Sequence, residues 1–185
     1  MSKYKERGPY HFVEYADPNT IYHAHVNKLI EEINTHANKF DQMPTFHEVG
    51  CGEGLILWQM SKRESVEGDR IYSGNDVDEQ AVSMAQLLLP TWIKVFQEAN
   101  MPRTKGLCDI VLFADSLEHI ENWAEHLHWA AHSKYVVIAV PSIRDKHAIN
   151  KFELTSFHQQ SWTVNMNCVY YKTREYRHVT IWKHK

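Results

Sequence analysis

Chemistry in this chain is concentrated where polar residues follow apolar runs. Glu48-Val49-Gly50-Cys51-Gly52-Glu53-Gly54 places three glycines in five residues directly before a stretch of helical spacing. Missing side chains let a ligand approach the backbone there, and a helix start offers free N–H groups. About two dozen residues on stands Asp76, after a run of strand character, where a carboxylate can accept both hydrogen bonds of a ribose diol. Asp115-Ser116 closes a fully apolar run of strand character, and Glu118-His119 follows, where a general base could stand. Taken singly, these are a tight turn, a surface carboxylate and a histidine that can simply pack at a helix start. Together, the glycine turn and Asp76 are spaced to hold a nucleoside-bearing cofactor.

These groups need a scaffold that brings strand ends together, and the periodicity supplies one. Asp17-Pro18 is a helix-start signal, followed by Tyr22, Val26, Leu29, Ile30, Ile33 and Ala37 on one face, with Pro44 marking the limit. Thr45 to Val49 reads as the first strand and Leu55 to Met60 as the next helix. Arg70 to Asn75 is a second strand, and Asp78 caps a helix through Val82, Ala85, Leu88 and Leu89 that Pro90 stops. Trp92 to Phe96 is a third, weaker strand. Asp109 to Ala114 has the continuous apolar character of a central parallel strand, Asn122 to His132 is a helix, and Tyr135 to Val140 is the fifth strand. After Ser142 the pattern changes. Phe152 to Gln160 suits a helix, and Cys168 to Lys172 and His178 to Lys183 form a hairpin across the turn 173–177. The expected fold is α/β and doubly wound, Rossmann-like, with a mostly parallel seven-stranded sheet and a C-terminal antiparallel hairpin.

Composition sets outer limits. A chain of 185 residues, 43% of them hydrophobic, fills one core, so residues 1–185 are read as a single domain with 1–43 as an N-terminal helical lid segment. Twenty-three acidic against twenty basic residues leave a formal charge of -3, and no stretch concentrates Lys and Arg, which disfavours nucleic acid as a partner. Three scattered cysteines, Cys51, Cys108 and Cys168, suit reduced thiols. The polar N-terminus and the absence of a long apolar run point to a soluble, cytoplasmic protein without a membrane partner. Thirteen histidines are an unexplained excess. His128 and His132 can share a helix face, but no third ligand is evident, so no metal is expected.

The type of cofactor follows from the acid ahead of the glycines. A dinucleotide fingerprint is Gly-x-Gly-x-x-Gly, whereas this turn is Gly-x-Gly-x-Gly behind Glu48. A carboxylate there repels a pyrophosphate and can orient the charged amino acid end of S-adenosylmethionine. Residues 45–141 resemble the class I S-adenosylmethionine-dependent methyltransferases. The resemblance is carried by Glu48 to Gly54, by Gly74-Asn75-Asp76-Val77-Asp78 with Ala85 nine positions past Asp76, and by Asp109-Ile110-Val111-Leu112 followed by Leu117-Glu118-His119-Ile120. The last of these looks like the Leu-Glu-His pattern of the small-molecule branch. The resemblance implies that Glu48 and the Gly50, Cys51, Gly52 and Gly54 backbone hold the methionine part, Asp76 the ribose and Val77 an adenine face. Asp115 and Ser116 would pass near the methionine end. Family members often carry an Asp after the third strand for the adenine amine; Gln97-Glu98 stand there instead, and Glu98 is the candidate.

The acceptor is less defined. Ala114-Asp115-Ser116-Leu117 lacks the Pro-Pro-aromatic sequence of amino-directed DNA methyltransferases, and no Cys follows Pro as in cytosine methyltransferases. A small-molecule acceptor, methylated on oxygen or nitrogen, is expected, with Glu118 and His119 as catalytic candidates. Fatty-acyl cyclopropane synthases, relatives of this fold, use a Glu-His pair at the corresponding place. Arg7-Gly8-Pro9-Tyr10-His11-Phe12 is similar to an Arg-Gly-Ala-Tyr-His-aromatic stretch of some bacterial members, which implies that Tyr10 and His11 close over the active site and touch substrate. Methylation of a protein or RNA end, and a non-catalytic cofactor-binding regulator, are the alternatives. The oligomeric state is not legible.

Overall fold

The computed structural model describes residues 6–37, 45–62, 71–98, 108–141, 166–173 and 177–185. The helix expected over 152–160 lies outside the described residues. Within them the chain runs α1 (Tyr10–Ala16), α2 (Ile21–His36), β1 (Phe46–Val49), α3 (Leu55–Ser61), β2 (Tyr72–Asp76), α4 (Glu79–Leu88) and β3 (Lys94–Gln97). It continues through β4 (Ile110–Ala114), a 3-10 turn (Leu117–His119), α5 (Trp123–Ala130), β5 (Tyr135–Pro141), β6 (Met166–Thr173) and β7 (Arg177–His184). The seven strands lie in the order β3-β2-β1-β4-β5-β7-β6. Strands β1 to β5 pair in parallel, and β7 joins β5 and β6 antiparallel. The doubly wound sheet with its terminal hairpin is therefore as the periodicity implied.

Strand order reverses between β1 and β4, and each side of the sheet carries its own core. Ile110 and Leu112 of β4 join α2, α3 and α4 on one face, while Val111 and Phe113 join Leu127 and Ala130 of α5 on the other. Because successive strand residues point to opposite faces, an unbroken apolar run is what a doubly covered strand requires. All four of these β4 side chains are buried.

Three details differ from the sequence reading. The main N-terminal helix starts at Ile21, not after Asp17, because the Thr20 hydroxyl accepts the His23 N–H at 3.0 Å while Asp17 instead accepts the Asn19 N–H at 2.9 Å. Before it lies α1, a separate short helix within the segment expected to be helical; none of its residues is fully buried, and Phe12 and Tyr15 are the ones that pack against the core. Strand β3 begins at Lys94, leaving Trp92 to pack edge-on against Tyr72. By contrast, Asp78 caps α4 as expected, accepting from Gln80 and Ala81. The hairpin is fastened to α2 from afar: the Tyr170 hydroxyl donates to Glu32 Oε1 at 2.8 Å, and the Tyr170 ring stacks on His36.

Candidate functional site

The ends of β1, β2, β3 and β4 surround one cavity of about 590 Å³ at the point where strand order reverses. From β1 come Glu48, Gly50, Cys51 and Gly52; from β2, Asp76 and Val77; from the residue after β3, Glu98; and from the β4 end, Asp115, Ser116 and His119. Tyr10 and His11 of α1 close the remaining side. Of the residues singled out from sequence, Gly54 and Glu118 are not in the lining.

Local backbone geometry explains the glycines. Gly50 has φ +73°, and a Cβ there would fall 2.6 Å from the Ser116 Cβ, so the β1 and β4 ends can meet only without a side chain. Gly54 does a different task. A Cβ on it would come 2.5 Å from Leu89 Cδ1, so this glycine seats the turn against the end of α4. Asp115, at φ +50°, is the non-glycine residue held in the left-handed region among those described, a strain of a kind that concentrates at functional sites.

Asp76 organises the turn it faces. Its Oδ2 accepts the Gly52 N–H at 2.8 Å and its Oδ1 accepts the Asp78 N–H at 2.9 Å, which fixes the carboxylate at the cavity wall. Burial holds its pKa above the usual aspartate value. Val77 beside it is 66% exposed, an apolar face turned to the cavity.

Glu48 is a buried acid facing this cavity. Only 3% exposed, it accepts the Leu57 backbone N–H, yet its Oε2 has no hydrogen-bond partner among the described residues. Burial, then the neighbouring Asp76 charge, pushes its pKa well above the usual glutamate range. Ser116 Oγ, also buried at the cavity, is likewise without a partner among the described residues. Such groups are costly unless a ligand completes them. A cluster of Glu48, Asp76 and Asp115 suits a cationic ligand and opposes a pyrophosphate. The residues therefore fit the sulfonium, ammonium and ribose of S-adenosylmethionine. Cys51 shares the wall, but burial keeps its thiol protonated, and so a poor nucleophile.

Several contributors escaped the sequence reading. Glu53, with no exposed surface, clamps α1: its Oε1 accepts the His11 backbone N–H at 2.7 Å and its Oε2 pairs with His11 Nδ1 at 2.8 Å. Burial alone would raise the Glu53 pKa, but the His11 hydrogen bond and charge outweigh it, and the net value is lowered. The His11 ring also stacks on Tyr22, 5.3 Å between centroids, so α2 contributes to the same wall. Tyr22 and Val26 were visible only as an apolar helix face. Asn75 and His126 also line the cavity, and His126 is buried with its Nδ1 donating to Asn122 O at 3.2 Å. Glu118 sits behind His119, 2% exposed, with Oε1 3.8 Å from His119 Nε2. Asp109 of the same motif lies at the opposite end of β4, accepting from Thr45 and Lys134, and is part of the scaffold. Among the described residues no group of three His, Cys, Asp or Glu side chains is arranged to hold a metal ion, and no helix is long and apolar enough to cross a membrane.

Solved structures share this architecture. Magnesium protoporphyrin IX methyltransferase from Synechocystis PCC 6803, crystallised with S-adenosylmethionine, superposes with a TM-score of 0.70 at 14% identity, covering 98% of this chain and 93% of that one. The chain has the class I methyltransferase fold. The 16S rRNA methylase ArmA gives a TM-score of 0.61 at 19% identity over 89% of this chain and 86% of that one. The cyclase SpnF gives 0.71 at 8% identity over 91% and 85%. No family model and no curated protein matches the sequence. The fold thus hosts methyl transfer to small molecules and to RNA, and other chemistry as well, so activity has to be argued from the site.

Proposed function

We propose that this chain is an S-adenosylmethionine-dependent methyltransferase acting on an oxygen or nitrogen of a small molecule. The observation that carries the reading is the buried Glu48 carboxylate, with Oε2 without a partner among the described residues, at a cavity where Asp76, Glu98 and Asp115 also stand at strand ends. When bound, the cofactor supplies an activated methyl group on a positively charged sulfur.

In this reading Glu48 and the Gly50 to Gly52 backbone hold the amino acid end, Asp76 accepts from the ribose hydroxyls, Val77 packs against the base and Glu98 faces its amine. Asp115 and Ser116 border the methionine end. Tyr10 and His11, held by Glu53, cover the site and exclude water, which favours transfer by positioning and desolvation. His119 takes the proton of an acceptor that keeps one as the new bond to carbon forms. Glu118 acts behind it, its carboxylate stabilising the imidazolium across 3.8 Å. This assigns Glu118 to positioning and leaves Gly54 to packing.

A small acceptor is supported by the wall of Tyr10, His11 and Tyr22 that closes the cavity, and by the acidic balance of the chain. Calorimetry with S-adenosylmethionine and S-adenosylhomocysteine tests the cofactor; micromolar binding of either is expected, and none of both would end the proposal. Transfer of a labelled methyl group to small-molecule pools but not to RNA or protein tests the acceptor class. Labelled RNA would favour the macromolecular reading, and binding without transfer to any pool would favour a regulator.

A further inference from the structure

Asn75 joins three segments that border the cavity. Its backbone carbonyl accepts the N–H groups of Gly50 at 2.8 Å and Cys51 at 3.0 Å, which fixes the glycine turn to β2. Its side-chain Nδ2 donates to the Glu98 carbonyl at 3.1 Å, and the Glu98 N–H in turn donates to the Asp76 carbonyl at 3.1 Å. Its Oδ1 can only accept, so the buried His47 must donate to it from Nε2, at 3.0 Å. The other imidazole nitrogen, Nδ1, then accepts from Ser73 Oγ at 2.8 Å. Burial lowers the His47 pKa and keeps this neutral, one-donor form.

Register explains how the pair meets. His47 stands opposite Ser73, and Val49 opposite Asn75, in the parallel β1–β2 ladder, so His47, Ser73 and Asn75 share one face of the sheet. Asn75 and His47 are 3% and 4% exposed, and Trp129 of α5 closes over the imidazole edge-on. Two polar side chains at such a place cost stability unless their bonds are made, whereas apolar residues would pack without that demand. What the polar pair adds is direction. It determines where the chain leaves β3, and hence where Glu98 lies relative to Asp76.

We propose that Asn75, oriented by His47, is a positioning residue that fixes Glu98 against the ribose acid and thereby sets selectivity for the 6-amino group of the purine. The inference rests on the reading that the cavity takes an adenosyl cofactor. A one-residue bolt of this kind acts on base recognition and not on the methionine end, which is held from β1 and β4.

The test compares binding of S-adenosylhomocysteine and of its 6-oxo analogue, S-inosylhomocysteine, by calorimetry on the full chain. The unaltered protein should favour the adenine compound. In Asn75→Asp a carboxylate oxygen faces the Glu98 carbonyl in place of the amide donor, and the preference should fall about tenfold. The added charge affects both ligands alike and cancels in the ratio. His47→Leu should reduce the preference about fivefold, while His47→Gln, which keeps a donor toward Asn75, should restore most of it. If Asn75→Asp does not fold, the His47 pair decides. A ratio unchanged from the unaltered chain in folded variants, or no preference in the unaltered chain, would overturn this inference alone. Binding of neither compound would overturn the cofactor reading as well.

Discussion

At Glu48 two demands oppose each other: burial penalises the carboxylate, and the cationic end of the proposed cofactor requires it. The raised pKa fixes the sign of a pH effect. The ligand-competent, charged form is lost as pH falls through that raised value, so affinity for S-adenosylmethionine should rise with pH across a window above the ordinary glutamate range of about 4.3. Calorimetry at a series of pH values should show this slope in the unaltered chain. Glu48→Gln should bind at least tenfold more weakly, with the slope removed, since a charge-assisted bond contributes about 1.5–3 kcal/mol. His119 allows a separate expectation. In the proposed reaction it is the base and stands apart from the wall built from β1 and β2, so His119→Ala should lower kcat by about 100-fold or more and leave S-adenosylhomocysteine affinity unchanged. An unaltered kcat would assign the imidazole to packing.

Among the elements that line the cavity, α1 has no fully buried residue. It is held by the Glu53 clamp on His11, by the Phe12 ring against Trp58, 5.2 Å between centroids, and by the Tyr15 hydroxyl donating to Asn27 of α2 at 2.7 Å. Glu53 has a lowered pKa in the folded chain, so its contribution is complete above its unfolded value near 4.3 and is lost as pH falls through the folded one. Limited proteolysis within Tyr10–Ala16 should therefore accelerate in acid below about pH 4. In His11→Ala it should already be fast at neutral pH, with faster release of bound cofactor. The bond from Tyr170 to Glu32 belongs to the same scale. Removing a donor from a buried carboxylate costs about 1–3 kcal/mol, so Tyr170→Phe should lower the urea midpoint without changing the cavity at the strand ends.

For the whole molecule, the cavity is bordered by four strand ends and by α1, so a ligand there ties separate parts of the fold together. S-adenosylhomocysteine at about 100 times its dissociation constant should stabilise the chain by roughly 2.7 kcal/mol. For a chain of this length that corresponds to a rise of about 5–11 °C in Tm, measurable by scanning calorimetry. A shift confined to 1 °C or less would be inconsistent with tight binding at this site.

How much of this was legible in the sequence depended on the range of the forces involved. The strands and their order of appearance could be read because burial on both faces leaves an unbroken apolar run, as in Ile110 to Phe113, and the glycine turn could be read because a close backbone approach forbids side chains at Gly50. Cap chemistry was legible at Asp78 but misplaced at Asp17, where Thr20 competes for the same task three residues on. Glu53, Asn75 and His47 lie inside or beside the glycine turn and the Asp76 motif, yet their partners are 42, 23 and 28 residues away along the chain, and no local spacing encodes such pairs. The same holds for α1, a short helix whose partners, Glu53 of the glycine turn, Trp58 of α3 and Asn27 of α2, lie outside its own stretch of chain. The sequence by itself determined the sheet, its winding and the acids at its strand ends, because periodicity and glycine placement are local constraints. Only the tertiary structure decided that Gly54 packs against Leu89, that Glu118 stands behind His119, and that His11 is clamped over the cavity, because desolvation and hydrogen-bond geometry exist only once distant segments have met.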